Sequence, residues 1–165
     1  MSGPESAQLL ARALEAFGQA EFDQARTLLE RLLSTDPENA QAWGYLGLCH
    51  LETGRAQLGL EALERATDAD PKNADYFYWL GNAAGSLGQL DRALACYQRA
   101  LELDPQHVKA SELAVRTRGI LESREHYRTA LQLLRDKRPP ERYLTLALRE
   151  LLHSIGLFAD SPARA

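Results

Sequence analysis

The sequence predicts an all-α protein in which pairs of helices stack side by side. The first observation is a repeat, because Pro37, Pro71 and Pro105 each follow an aspartate and lie 34 residues apart. A fixed period of this length is typical of stacked repeat architectures. The second observation is that apolar residues recur at i, i+3, i+4 and i+7 between the prolines, which forms one face of a helix. The third is that the strongest β-forming residues are sparse.

The period divides the chain into three units, residues 6–39, 40–73 and 74–107. Each unit contains two apolar periodic segments separated by a short turn, with Gly54 in the second turn and Gly88 in the third. In the first unit the turn glycine, Gly18, lies two places earlier. We expect the second segment of each unit to end at the Asp-Pro link, because the residue before a proline disfavours helical geometry.

Small residues dominate three positions of the unit, and there we expect the helices to approach closely. They are Ala13, Gly47 and Gly81 at position 8, Ala25, Gly59 and Ala93 at position 20, and Ala66 and Ala100 at position 27, where the first unit has Leu32. Larger residues are expected to fill the core around them. These are Trp43 and Phe77 at position 4, and Leu46 and Leu80 at position 7.

These residues carry a family resemblance. W-x-x-L-G at 43–47, F-x-x-L-G at 77–81, and the recurring Ala or Gly and Pro positions resemble the tetratricopeptide repeat. The first unit departs from the pattern at its start, where it has Leu9, Arg12 and Ala13. The resemblance covers residues 6–107 and implies a right-handed superhelical solenoid of helix-turn-helix repeats with a concave groove.

Residues 108–158 are predicted to form C-terminal capping helices. Residues 107–136 keep an apolar stripe without proline, but Glu122 and Tyr127 occupy positions where a fourth unit would need small residues. We therefore expect one long helix, bent near Gly119, that covers the end of the third unit. A second amphipathic helix is expected at 142–158, and it could cap the solenoid, form a dimer or lie in the groove. Residues 159–165 are expected to be disordered.

Composition and charge narrow the classes of function. There is no secretory signal pattern and no run of about 18 apolar residues, so we expect a cytoplasmic protein without membrane insertion. Cys49 and Cys96 are expected to be small buried hydrophobes, with a single bridge as the alternative. The net charge is −8 over residues 1–105 and +4 over 106–165. This asymmetry reflects either solvated helix faces or a basic tail that meets an acidic partner, or the acidic half of a second copy.

No motif in the sequence predicts catalysis. The four histidines are not paired at ligand spacing, so we expect no metal site. Phosphate-binding loops and nucleophile motifs are absent, so we expect neither an enzyme nor a cofactor. The acidic repeat region would repel phosphate, which argues against nucleic acid.

The resemblance places the binding surface on the first helix of each unit. The expected groove residues are Leu10, Leu14, Tyr45, Leu48, Tyr78, Trp79, Asn82, Lys109 and Arg116. Tyr78 and Trp79 are expected to face the groove, since Trp and Tyr often anchor binding. The alternative is that both pack against the C-terminal helix. Asn82 is expected to hydrogen-bond to the backbone of the ligand.

One subtype of the family does not fit. Tetratricopeptide domains that bind the acidic C-termini of heat-shock chaperones use a clamp of Lys, Asn and Arg. The aligned positions here are Leu10, Leu14, Tyr45, Asp75 and Trp79, so units one to three have no cationic clamp. A fragment of one around Lys109 and Arg116 is too weak to replace it.

The favoured hypothesis is therefore a non-catalytic adaptor whose partner is another protein, bound as an apolar peptide or amphipathic helix. One alternative is a bacterial secretion-type chaperone that shields an exported client. Another is a self-assembling scaffold, with possible homo-oligomers formed through the C-terminal helices.

Overall fold

The computed structural model describes residues 4–135 and residue 149, and its regular structure in this part of the chain is entirely α-helical. Residues 4–135 form seven helices, which confirms the predicted all-α class. They are α1 (Pro4–Gly18), α2 (Phe22–Thr35), α3 (Ala40–Glu52), α4 (Ala56–Ala69), α5 (Ala74–Ser86), α6 (Leu90–Leu103) and α7 (Val108–Arg135).

Helices α1 to α6 form three consecutive hairpins. Helix α1 packs on α2, α3 on α4, and α5 on α6, and each hairpin also contacts the next through α2 with α3 and α4 with α5. The first helices of the hairpins also contact one another, α1 with α3 and α3 with α5. They therefore form a layer in which side chains from three hairpins can meet.

The Asp-Pro links end the second helix of each hairpin, as the sequence predicts. The backbone N–H groups of Asp36, Asp70 and Asp104 donate to the carbonyls of Leu32, Ala66 and Ala100. The next helix then starts on a side-chain cap. Asn39 Oδ1 accepts from the N–H of Ala42 at 2.9 Å, and Asn73 Oδ1 accepts from the N–H of Asp75 at 3.0 Å. These caps satisfy backbone donors that helix starts leave unpaired.

The turn inside each hairpin contains one residue with positive φ. Gly54 has φ 74° and Gly88 has φ 72°, which glycine adopts without strain. The sequence predicts that Gly18 lies in the turn of the first hairpin, but Gly18 is the last residue of α1. Ala20 lies at the equivalent position and adopts φ 61°.

The small residues allow close helix contacts, as expected. Ala25, Ala66, Ala93 and Ala100 are at most 1% exposed. A Cβ added to Gly81 would lie only 2.7 Å from Cδ1 of Tyr97, so the α5–α6 contact depends on glycine. The buried residues form two clusters, one around α1–α3 and one around α4–α6.

The expected burial of Phe77 is wrong. Phe77 is partly exposed and the Arg99 guanidinium lies 5.8 Å from its ring centroid. Its neighbour Tyr76 is buried instead, at 6% exposure. The reason is Gly44 on the adjacent hairpin, where a Cβ would lie 2.9 Å from Cε1 of Tyr76, so the absence of a side chain makes room for the ring.

The predicted long C-terminal helix is observed as α7. The chain divides into two compact units between Ala114 and Val115, within α7. In the first unit, Ala114 belongs to the second buried cluster and Leu113 packs against it. The predicted helix at 142–158 and the tail at 159–165 lie outside the described residues, apart from Arg149, which is helical.

Two further expectations concern the cysteines and membranes. Cys49 and Cys96 are both buried and free, as predicted. Among the residues that the structure describes, no helix is long and apolar enough to cross a membrane.

Candidate functional site

The expected groove residues are distributed over four helices. Leu10 and Leu14 lie on α1, Tyr45 and Leu48 on α3, Tyr78, Trp79 and Asn82 on α5, and all seven are partly exposed. Lys109 and Arg116 lie on α7 and are exposed. Lys109 belongs to the first compact unit and Arg116 to the second.

Three aromatic side chains connect the first helices of the hairpins, and we call them the aromatic strip. Phe17 of α1 contacts Tyr45 of α3 with ring centroids 5.4 Å apart, and Tyr45 contacts Trp79 of α5 at 5.8 Å. Both contacts are edge-to-face, the arrangement that aromatic quadrupoles favour. The strip therefore runs across all three hairpins and holds Tyr45 and Trp79 in fixed orientations.

Buried and half-buried groups pack against both ends of the aromatic strip. Trp79 packs against Tyr76 at 5.5 Å between centroids, and a Cβ on Gly44 would lie 3.2 Å from Cζ3 of Trp79. Phe22, at the start of α2, contacts Phe17 at 5.5 Å and extends the row of rings. Burial raises the pKa of Tyr76, so its hydroxyl stays neutral at physiological pH.

Tyr78 belongs to a different group of rings. Its centroid lies 4.9 Å from that of His107 and 6.3 Å from that of Tyr97. Because Tyr78 and Trp79 are consecutive on a helix, they point about 100° apart. Trp79 therefore packs against Tyr45, whereas Tyr78 packs against Tyr97 of α6 and against His107, the residue before α7.

His107 links α5 to the start of α7. Its Nδ1 accepts from the N–H of Ala110 at 3.2 Å and so caps α7. Its Nε2 lies 3.2 Å from Oδ1 of Asp75. An Nδ1 that accepts a hydrogen bond carries no proton, so Nε2 is the donor to the Asp75 carboxylate.

Asn82 already forms one hydrogen bond inside the protein. Its Oδ1 accepts a 2.9 Å hydrogen bond from the hydroxyl of Tyr97. The carbonyl half of the amide therefore already has a partner inside the protein, and the Nδ2 amino group is the donor that Asn82 can offer to a ligand backbone. Sequence position alone does not show this, because Tyr97 lies on the neighbouring helix α6.

A cleft of about 750 Å³ opens on the other side of α3. It is lined by Trp43, Leu46 and His50, which lie on the opposite face of α3 from Tyr45 and Leu48. Exposed Leu58 and an ion pair between Glu64 and Arg92 form part of its wall. Burial, with a smaller effect of the Arg26 guanidinium, lowers the pKa of His50.

Metal chemistry finds no support in the described part of the chain. No group of three or more His, Cys, Asp or Glu side chains is placed to hold a metal ion within residues 4–135. Burial raises the pKa of the Cys49 thiol to about 11 and also raises that of Cys96, so neither is an activated nucleophile.

Comparisons with known proteins agree with the repeat pattern. A family model described as tetratricopeptide repeat matches residues 10–74, and a second model of the same description matches residues 74–107. A comparison with curated proteins gave no match.

Solved structures show the same fold. The first TPR of Spaghetti (RPAP3), bound to the HSP90 peptide SRMEEVD, is 19% identical with a TM-score of 0.69, covering 71% of this chain and 93% of that one. The Sgt2 TPR domain from Aspergillus fumigatus is 22% identical with a TM-score of 0.67, covering 84% and 87%. An O-GlcNAc transferase from Thermobaculum terrenum is 32% identical with a TM-score of 0.67. That match covers 73% of this chain but only 24% of the transferase.

Proposed function

Because the chain belongs to the tetratricopeptide repeat family, we propose that it is a non-catalytic adaptor that binds a segment of a partner protein in the groove formed by α1, α3 and α5. The observation that carries the proposal is the aromatic strip of Phe17, Tyr45 and Trp79, whose rings form a row across three hairpins. Partly exposed Trp and Tyr side chains with fixed orientation lose little entropy on binding, so they are effective anchors.

The chemistry of the groove favours an apolar segment. Leu14 and Leu48 are partly exposed on the same helices as the strip. A ligand that places leucine, methionine or aromatic side chains over these residues buries apolar area on both partners. The Nδ2 group of Asn82 supplies a hydrogen-bond donor for one backbone carbonyl of the ligand. An extended peptide and an amphipathic helix both satisfy this pattern.

Peptides that end in EEVD are poor ligands under this proposal. The first TPR of Spaghetti (RPAP3) was solved with such a peptide. Here the positions aligned with the Lys, Asn and Arg clamp have Leu10, Leu14, Tyr45, Asp75 and Trp79, and none of them is a cation. A ligand carboxylate placed there would lose water without gaining an ion pair, which costs free energy. We expect SRMEEVD to bind at least about 100-fold more weakly than an apolar peptide selected against the groove, a difference of about 3 kcal/mol.

Selection of random peptides on the immobilised full-length protein tests the function. We expect the selected sequences to be rich in large apolar residues, and Trp79→Ala to weaken them by about 30-fold, since truncating a central Trp costs about 2 kcal/mol. Leu48→Glu tests the same surface without removing a ring, because it places a carboxylate beside the bound segment. Leu58→Ala is the matched control, since Leu58 is 47% exposed but lines the cleft on the opposite side of α3.

The outcome decides between surfaces. Loss of binding in Trp79→Ala and Leu48→Glu, with full binding in folded Leu58→Ala, supports the groove. Equal binding by all four proteins would show that the selected peptides dock elsewhere and that the groove assignment is wrong.

A further inference from the structure

Helix α7 has an exposed apolar face that the proposed groove does not use. Ile120, Tyr127 and Leu131 are 45%, 47% and 47% exposed. At about 100° per residue, Tyr127 and Leu131 each lie about 20° from Ile120 around the helix axis, on opposite sides. The three side chains therefore form one line along the helix, and this line is about 16 Å long. We call these three residues the α7 stripe. Contiguous exposed apolar side chains are a feature of interaction surfaces.

Arginines flank the α7 stripe on both sides. Arg116 and Arg124 are exposed and lie about 40° to either side of Ile120. Within residues 4–135 neither arginine forms an ion pair. Residues 115–135 contain five arginines and two glutamates, a net charge of +3, and Glu125 is paired with Arg128. The edges of the stripe therefore present unpaired positive charge.

We propose that the α7 stripe is a second docking surface, which takes an acidic amphipathic helix of a partner protein. About three turns of a partner helix match the length of the stripe, and leucines on one face of that helix would cover Ile120, Tyr127 and Leu131. Carboxylates at the edges of the partner face would pair with Arg116 and Arg124, which is the charge complementarity that selects a partner and its orientation.

The stripe is less suited to a lipid surface. Helices that lie in a membrane interface have a broad apolar face rich in Trp, Phe and Leu. Among the side chains of α7 that the structure describes, the α7 stripe is one side chain wide, and each of its three members is about half exposed. A narrow apolar line between two cations matches a single helix better than a bilayer.

The same helix supplies matched control positions. Val115 is 67% exposed and lies about 140° away from Ile120, and exposed Arg118 lies about 160° away. Val115→Ala and Arg118→Glu therefore repeat the chemistry of stripe substitutions on the opposite face of α7. The paired comparison separates an effect of the stripe from an effect of helix stability or total charge.

The test measures the affinity of the full-length protein for two labelled peptides by fluorescence anisotropy. The first is a helix-forming peptide of about 18 residues with leucines on one face and glutamates beside them. The second has lysine in place of every glutamate. We expect the acidic peptide to bind in a saturable, salt-sensitive manner and the basic peptide to bind at least about tenfold more weakly.

The variants locate the binding site. We expect Ile120→Ala/Leu131→Ala and Arg116→Glu/Arg124→Glu each to weaken the acidic peptide by about tenfold or more. Val115→Ala/Arg118→Glu should stay within about twofold of wild type. Because an amphipathic helix also suits the proposed groove, Trp79→Ala is measured with the same peptide. Loss of the acidic peptide in Trp79→Ala but not in the stripe variants would assign its binding to the groove and overturn the proposal.

Several results would overturn the proposal. One is the absence of saturable binding by the acidic peptide, and another is an equal loss in the control variant. A wild-type dimer that Ile120→Ala/Leu131→Ala converts to monomer in sedimentation velocity would assign the stripe to a second copy of the chain. Binding to phosphatidylserine vesicles without peptide binding would assign it to a membrane. A fall in melting temperature of more than about 5 °C in Ile120→Ala/Leu131→Ala, with none in Val115→Ala, would show that the chain itself covers the stripe.

Discussion

Replacement of Gly81 by alanine tests the close packing that holds the groove helix α5 in place. A Cβ at this position would lie 2.7 Å from Cδ1 of Tyr97, a distance that real Cβ atoms do not adopt, and 3.0 Å from Cζ, which is tighter than most Cβ contacts. Tyr97 is only 4% exposed, and its hydroxyl donates to Oδ1 of Asn82. The ring can therefore move only by disturbing the α5–α6 contact and this hydrogen bond.

Three contributions set the size of the effect. Overpacking of a tight core site costs about 1–3 kcal/mol. Loss of the hydrogen bond between Tyr97 and Asn82 adds about 1 kcal/mol. The better helix propensity of alanine returns about 1 kcal/mol. We therefore expect Gly81→Ala to lower the free energy of unfolding by about 1–3 kcal/mol, and the melting temperature by several degrees.

Gly85→Ala in the same helix is the matched control. The nearest atoms to a Cβ at Gly85 are Oη of Tyr97 at 3.7 Å and Cβ of Ala93 at 3.9 Å, which are ordinary van der Waals distances. Propensity then dominates, and we expect this variant to gain up to about 1 kcal/mol. Urea unfolding followed by circular dichroism measures both proteins. If Gly81→Ala is as stable as Gly85→Ala, the packing argument for this hairpin is refuted.

Three other predictions concern the turn, the histidine and the thiols. We expect Ala20→Gly to raise the free energy of unfolding by up to about 1 kcal/mol and Gly54→Ala to lower it by about the same amount, both measured in urea, since only glycine adopts positive φ without strain. Because burial lowers the pKa of His50 below its ordinary 6.5, the unfolded chain takes up this proton first, so stability should be constant above about pH 6.5 and decrease as the pH falls below it. Urea titrations from pH 7.5 to 5.5 should show this decrease in wild type and a smaller one in His50→Gln, and equal slopes would contradict the assignment. Cys49, with its pKa raised to about 11, and buried Cys96 should react with Ellman's reagent only on unfolding, and rapid labelling of the native protein would show that the helices open locally.

The hairpins were predictable because their signals are local. The 34-residue spacing of Pro37, Pro71 and Pro105 fixes where helices end, and periodic apolar residues between them define the helix faces. The positive φ in the turns is equally local, but Ala20 shows its limit. There the architecture imposes the conformation on a residue that does not favour it, so a search for glycine alone found Gly18 instead.

The site was less predictable because it depends on contacts between hairpins. Periodicity cannot decide whether Tyr76 or Phe77 is buried, since the deciding space is above Gly44 on another helix. In the same way, the hydrogen bond from Tyr97 changes what Asn82 can offer to a ligand. The contact between Tyr45 and Trp79 could be predicted only as a shared surface, because ring orientation requires coordinates.

The apolar positions of α7 show a related limit. A pattern with Ile120, Tyr127 and Leu131 on one face is what a capping helix needs, and the sequence predicts a cap on that basis. The structure leaves these three side chains about half exposed. Periodicity identifies an apolar face that another element could cover, but only the coordinates show how exposed its side chains are.

The most direct test of the groove uses the fluorescence of Trp79. The chain has two tryptophans, so Trp43→Phe leaves Trp79 as the only one and as a reporter within the aromatic strip. A peptide that lacks tryptophan and was selected on the wild-type protein is titrated into this variant, with emission and acrylamide quenching recorded. If the groove binds the segment, the emission of Trp79 shifts to shorter wavelength and quenching falls as the peptide saturates the protein. Saturable binding without any change in Trp79 emission or quenching would contradict the central claim.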